Sequence, residues 1–190
     1  MTTDELVRVH VCPRLNSDSR TYKVLMNVAG DSRDFAIAPA DLRRAADALA
    51  ARLSPEEANA DFIVGFAPGG IAIAVAMAYE LDTSAIIAYK TRLDLPDELT
   101  WVEPHCFTNT FYFYGVVPGM SVILVDDEVD SGNTLANATT ALREAGAVVK
   151  GVASAVEVTH GGHSQGRERL AALGLDLCAL RRVDVDAPQR

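Results

Sequence analysis

Short apolar runs alternate along the chain with stretches in which apolar residues recur every three to four positions. That alternation is the layout of a parallel α/β sheet with helices on its faces. Residues 21–28 and 33–37 read as two strands joined by a turn at Gly30-Asp31. Pro39 opens a helix through Leu53, with Leu42, Ala45, Ala46, Leu49 and Leu53 on one stripe. Ser54-Pro55-Glu56-Glu57 reads either as a short helix start or as a loop. Residues 62–66 form a buried-type strand. Gly69-Gly70 then turns the chain into an Ala-rich helix over 71–81, and 84–89 is the next strand. Residues 90–110 show no period, and a loop of that length inside a compact domain is usually functional or mobile. An aromatic strand at 111–114 and a strand at 121–125 follow. A helix over 133–144 stops at Gly146. A strand at 148–157, a helix at 166–173 and a last strand at 176–180 complete the pattern, with a frayed tail from Asp184.

No internal repeat interrupts this series, and residues 1–190 suit one domain with a continuous core. The apolar fraction of 49% and charged fraction of 23% are those of a globular protein. No apolar run reaches the roughly 18 residues of a membrane helix. The N-terminal Met1-Thr2-Thr3-Asp4-Glu5 lacks the basic and apolar regions of a signal peptide. Cys12, Cys106 and Cys178 show no paired spacing, which argues against a disulfide framework and makes cytoplasm the expected compartment. The net charge of −9 counts against a nucleic-acid-binding surface. A small anion held by backbone N–H groups and local cations remains compatible with it.

One segment changes the picture. Strand Val122-Ile123-Leu124-Val125 delivers Asp126 and Asp127 to the carboxyl end of the sheet, where open α/β sheets bind ligands. Asp130-Ser131-Gly132-Asn133-Thr134 then leads into a helix N-terminus, whose N–H groups and dipole favour a phosphate. Ser131 and Thr134 add hydroxyl donors, and Gly132 permits close backbone approach. Carboxylates repel a bare phosphate but accept hydrogen bonds from a sugar diol. Adjacent aspartates beside a phosphate turn therefore suit a phosphorylated sugar. Helix capping alone would account for any one of these residues, but not for the whole arrangement. Neither a P-loop nor a Gly-x-Gly-x-x-Gly dinucleotide turn is present.

Residues 122–135 resemble the phosphoribosyl pyrophosphate motif of type I phosphoribosyltransferases: an apolar strand, two acidic residues and a Ser/Thr-Gly-x-Ser/Thr turn. The resemblance implies a parallel twisted sheet flanked by helices, with a small hood. Residues 1–35 and 90–115 would contribute the N-terminal strands and the mobile hood. Asp126 and Asp127 would bind the ribose hydroxyls and, through the donor, Mg²⁺. Residues Asp130, Ser131, Gly132, Asn133 and Thr134 would hold the 5′-phosphate. Ala67-Pro68-Gly69-Gly70 resembles the family's pyrophosphate loop, although Pro68 stands where an Arg is frequent. Lys90 and Arg92 match basic residues that reach the pyrophosphate; as residues alone, they read equally as solvated loop charges. A homodimer is also implied, as is a nucleobase acceptor within purine salvage.

The acceptor is left divided. The stretch from Val156-Glu157-Val158 to Gly166-Arg167-Glu168 resembles adenine phosphoribosyltransferases, as does Lys90 to Pro96. Those enzymes carry a catalytic Glu in the hood; the corresponding segment here offers Glu103 and His105, either of which could assist proton transfer. Asp130 instead resembles the proton acceptor of 6-oxopurine enzymes. The aromatic run from Phe107 to Tyr114 could stack on a base, with alternate residues serving the core. His160-Gly161-Gly162-His163 could be a metal pair, but two histidines without a third ligand read better as a loop. A non-purine or unusual acceptor is a further alternative for the transferase, and two other functions compete: a non-catalytic regulator that binds the donor as a signal, and a hydrolase or phosphatase using the Asp pair to bind metal.

Overall fold

The computed structural model describes residues 7–13, 22–27, 37–102 and 110–186. Strands β1 (Arg8–Pro13) and β2 (Tyr22–Asn27) form an antiparallel pair. The partner expected for the 21–28 strand was the segment at 33–37; residues 33–36 lie outside the described set, and Ile37 belongs to no element. Helix α1 (Pro39–Ala50) begins with Pro at its first position and buries Ala45, Ala46 and Leu49. It ends three residues before the expected Leu53. Ser54 then starts a new helix, α2 (Pro55–Ala58), with a reciprocal capping box. The Ser54 hydroxyl accepts from Glu57 N–H at 3.2 Å, and the Glu57 carboxylate accepts from Ser54 N–H at 2.8 Å.

The remaining elements are β3 (Phe62–Phe66), α3 (Gly70–Glu80), β4 (Ser84–Ala88), β5 (Glu98–Val102), β6 (Thr110–Tyr114), β7 (Ser121–Val129), α4 (Asn133–Glu144), β8 (Val148–Thr159), α5 (Gln165–Ala171) and β9 (Leu177–Asp184). Five strands make one parallel sheet in the order β4-β3-β7-β8-β9. Both faces are covered, which explains why Val122-Ile123-Leu124-Val125 of β7 reads as an unbroken apolar run. Val122 and Leu124 pack into a cluster with Phe66, Phe113, Leu135 and Leu142 on one face. Ile123 and Val125 pack with Leu49, Ile73 and Met77 on the other. None of the described helices is long and apolar enough to cross a membrane.

Besides β8, which gains two residues to Thr159, two strands outrun their sequence limits. β7 continues through the acidic residues to Val129, because β8 goes on pairing with it to Val129↔Glu157. β9 runs to Asp184, paired with Thr159, instead of fraying there. A third strand, β5, occupies part of the stretch read as a loop. It pairs antiparallel with β6, and Trp101 stacks on Phe111 at 5.5 Å while Phe66 meets both rings edge-on. Its order comes from aromatic partners far along the chain, so local periodicity could not announce it. The alternation expected of β6 holds: Phe111 and Phe113 are buried, while Tyr112 and Tyr114 are partly exposed.

Candidate functional site

The strand order reverses between β3 and β7. From β3 the chain passes through α3 to β4 on one side, then returns to place β7 on the other side of β3. Such a switch point opens a crevice at the carboxyl ends of the two strands. β3 pairs with β7 only as far as Gly65↔Val125, so residues 126–129 are paired on the β8 side beyond the end of β3. In place of β3 comes its outgoing turn. The Ala67–Pro68 peptide in that turn is cis.

Gly69 and Gly70 run directly against the two carboxylates. A Cβ on Gly70 would lie 2.8 Å from Asp126 Oδ1, and one on Gly69 would overlap the Asp127 carboxylate. The glycine pair is therefore a space requirement of the aspartates, since neither residue has a positive φ. Asp126 and residues 128–135 line one open cleft. The four sequence expectations at 69–70 and 126–127 thus converge in contact.

The turn into α4 has a second wall. Gly132 sits at φ 70°, the left-handed region, as the N-cap of α4. A Cβ there would lie 2.8 Å from Gly166 Cα, and a Cβ on Gly166 would lie 2.7 Å from the Asp130 carbonyl oxygen. Two glycines back to back let the start of α5 close on the turn before α4. With glycine as N-cap, no side chain caps the first-turn N–H groups of α4. The Arg169 guanidinium also donates to Asn133 Oδ1.

α5 is itself anchored from below. Arg167 donates to both oxygens of Glu157, at 2.9 and 2.8 Å, and Arg182 donates to the same carboxylate at 3.2–3.3 Å. Glu157 is 1% exposed. Burial pushes its carboxyl up, but the Arg167 and Ser164 hydrogen bonds and the charges of Arg167 and Arg182 outweigh this and hold it below its ordinary value.

Asp130 sits in the turn with His160 Nε2 at 3.2 Å from its Oδ1. His160 Nδ1 lies 3.5 Å from Asp186 Oδ2, and His163 Nδ1 lies 3.4 Å from Glu168 Oε1. The two histidines thus face separate carboxylates, and no cluster of three or more His, Cys, Asp or Glu suited to a metal occurs among the described residues. Residues 160–163 form a tight turn closed by the His160↔His163 bridge.

Lys90 leaves the carboxyl end of β4 with its Nζ 4.8 Å from the centre of the Phe111 ring. Arg92 faces the other way in chemistry: it donates to Glu98 at 2.9 and 3.1 Å and lies 3.4 Å from Asp94. The Arg92 guanidinium, helped by the Tyr114 hydroxyl at 3.0 Å, holds the Glu98 carboxyl below the usual range. Glu103 and His105 lie outside the described residues. The sequence reading passed over Glu128 as a cleft residue, although it stands two positions beyond Asp126 in the same strand. It also passed over His160 as a neighbour of Asp130, a contact between residues thirty apart with no local signal.

A strand-order switch point joined to a carboxylate pair, a glycine turn and an uncapped helix start defines an α/β protein built to hold a phosphorylated ligand. A family model described as phosphoribosyl transferase matches residues 10–177, and the chain belongs to that family of enzymes. A hypoxanthine/guanine phosphoribosyltransferase of Methanocella paludicola is 26% identical over 141 residues, covering 74% of this chain and 71% of that protein. An adenine phosphoribosyltransferase of Roseiflexus sp. is 34% identical over 133 residues, covering 66% of this chain and 72% of that protein. Among solved structures, adenine phosphoribosyltransferase from Thermoanaerobacter pseudethanolicus shares the fold with a TM-score of 0.71 at 18% identity, covering 92% and 95% of the two chains. The expected sheet, flanking helices and transferase class are thereby established.

Proposed function

We propose that this phosphoribosyltransferase moves the 5-phosphoribosyl group from phosphoribosyl pyrophosphate to a ring nitrogen of a 6-oxopurine. The observation that carries the reading is the contact of Gly69 and Gly70 with Asp127 and Asp126 at the switch point. It puts a glycine turn and a diol-binding carboxylate pair within one small molecule's reach. Asp126 and Asp127 accept hydrogen bonds from the ribose hydroxyls. The N–H groups and hydroxyls of 131–134 take the 5′-phosphate, and residues 67–70 with Lys90 take the pyrophosphate. Asp130, which lines the same cleft, supports an oxopurine acceptor, as does the likeness to a hypoxanthine/guanine enzyme.

In the transfer, the bond from the anomeric carbon to the pyrophosphate oxygen breaks and leaves with its electron pair. The ring nitrogen supplies the pair for the new bond, and its proton passes to the Asp130 carboxylate. Positive charge develops on the sugar, close to Asp126 and Asp127. Asp126 and Asp127 present only oxygen ligands, which suit Mg²⁺, and they would hold it indirectly, through the donor. Bound there, it would neutralise pyrophosphate charge.

The test is pyrophosphate release from the donor with Mg²⁺, screened against hypoxanthine, guanine, xanthine, adenine, uracil and orotate. Release with an oxopurine should exceed release with adenine. An Asp126→Asn/Asp127→Asn variant should lose about 100-fold or more of that rate. Preference for adenine would overturn the role given to Asp130. Calorimetric binding of the donor without turnover for any base would overturn the transferase reading of this site in favour of a regulator.

A further inference from the structure

We propose that His160 is a positioning residue that holds the Asp130 carboxylate in the orientation needed to accept the purine's proton. The inference rests on the reading of Asp130 as the acceptor-side base. Asp130 stands on the turn after β7 with its side chain 12% exposed. A general base must point at its proton within a narrow cone, and misplacement by about 1 Å can cost some 100-fold. His160 Nε2 lies 3.2 Å from Asp130 Oδ1, close enough to bear on how that carboxylate points. Any form of the ring that carries a proton on Nε2 can donate to the carboxylate.

His160 is presented by a rigid support. His160 N–H donates to His163 C=O at 2.9 Å and His163 N–H to His160 C=O at 3.0 Å, closing a two-residue hairpin. Gly161 and Gly162, with φ 57° and 82°, supply the left-handed pair that such a turn requires. The turn is clamped from β9, whose Asp184 carboxylate accepts from Gly161 N–H at 3.2 Å and Gly162 N–H at 2.6 Å. Val185 N–H adds a bond to Thr159 C=O at 3.0 Å. Charged groups face the unit from each neighbour: Asp130 from the β7–α4 turn, Asp186 after β9 at 3.5 Å from His160 Nδ1, and Glu168 of α5 beside His163. His160 is thus fixed from behind and meets the carboxylate from the side.

The test compares His160→Ala, His160→Gln, Asp130→Asn and the His160→Ala/Asp130→Asn double variant by steady-state kinetics with the preferred purine. His160→Ala should lower kcat by about 10- to 100-fold while KM for the donor stays within about twofold. His160→Gln, which keeps an N–H near the Nε2 position, should recover most of the rate. In the double variant the two losses should fail to multiply, because the histidine acts through the aspartate. A wild-type rate in His160→Ala beside a collapsed Asp130→Asn would overturn the role of His160 alone. Multiplying losses, or no recovery by Gln, would overturn it as well. A wild-type rate in Asp130→Asn would instead remove the reading of Asp130 on which the inference stands.

Discussion

Two regions of the molecule use their charged residues on opposite plans. The turn into α4 is wedged: Gly132 and Gly166 touch back to back, and below them a 1% exposed Glu157 holds Arg167 and Arg182. The β5–β6 pair joins the chain after β4 through the Tyr89–Tyr112 bridge and buries Trp101, Phe111 and Phe113 in the core, but its ion pair Arg92–Glu98 faces solvent, with the arginine side chain 60% exposed. Water and salt weaken an exposed pair such as Arg92–Glu98 far more than the buried carboxylate of Glu157 with its two arginines. The difference teaches which charges hold the fold and which are available to exchange partners.

Breaking the wedge should have the largest effect. Gly132→Ala combines a left-handed φ with a Cβ driven into Gly166, and should cost about 3 kcal/mol in urea unfolding. Donor affinity should fall with it. Gly69→Ala sharpens the comparison from the other direction. Its backbone tolerates alanine, so the unfolding midpoint should hold, but the Asp127 carboxylate must move and turnover should drop about 100-fold. A stability loss without a rate loss in Gly69→Ala would break the argument that the glycines make room for the carboxylates.

Arg167→Met removes two hydrogen bonds from Glu157 while Arg182 remains, and should cost about 2 kcal/mol. The same network predicts an acid limb. Glu157 has its folded pKa below the ordinary value near 4.5, so its contribution is full above that pH and is lost as pH falls through the folded value. Unfolding midpoints measured from pH 6 down to about pH 3 should fall less steeply in Glu157→Gln than in the natural chain. The smallest effect belongs to the exposed Arg92–Glu98 pair. Arg92→Ala should leave the unfolding midpoint unchanged. If Arg92 leaves Glu98 for the pyrophosphate during turnover, KM for the donor should nevertheless rise several-fold; an unchanged KM would leave Lys90 as the basic residue of the pyrophosphate proposal.

The sequence by itself determined the parallel layout, the strand that carries Asp126 and Asp127, and the glycine turns at 69–70 and 132. Each is written in neighbouring residues: apolar runs for strands buried on both faces, and a turn residue wherever the chain must double back or admit a helix start. Tertiary structure decided what those pieces do to one another. It set the strand order that makes 69–70 the neighbour of 126–127, and it extended β7 past its acidic residues because β8 was there to pair with it. It ordered β5 through aromatic rings supplied by β3 and β6, and it brought His160 to Asp130 across thirty residues. Periodicity and turn chemistry act over a few residues, whereas sheet order, back-to-back glycines and a shared carboxylate depend on segments that meet only after the chain has folded.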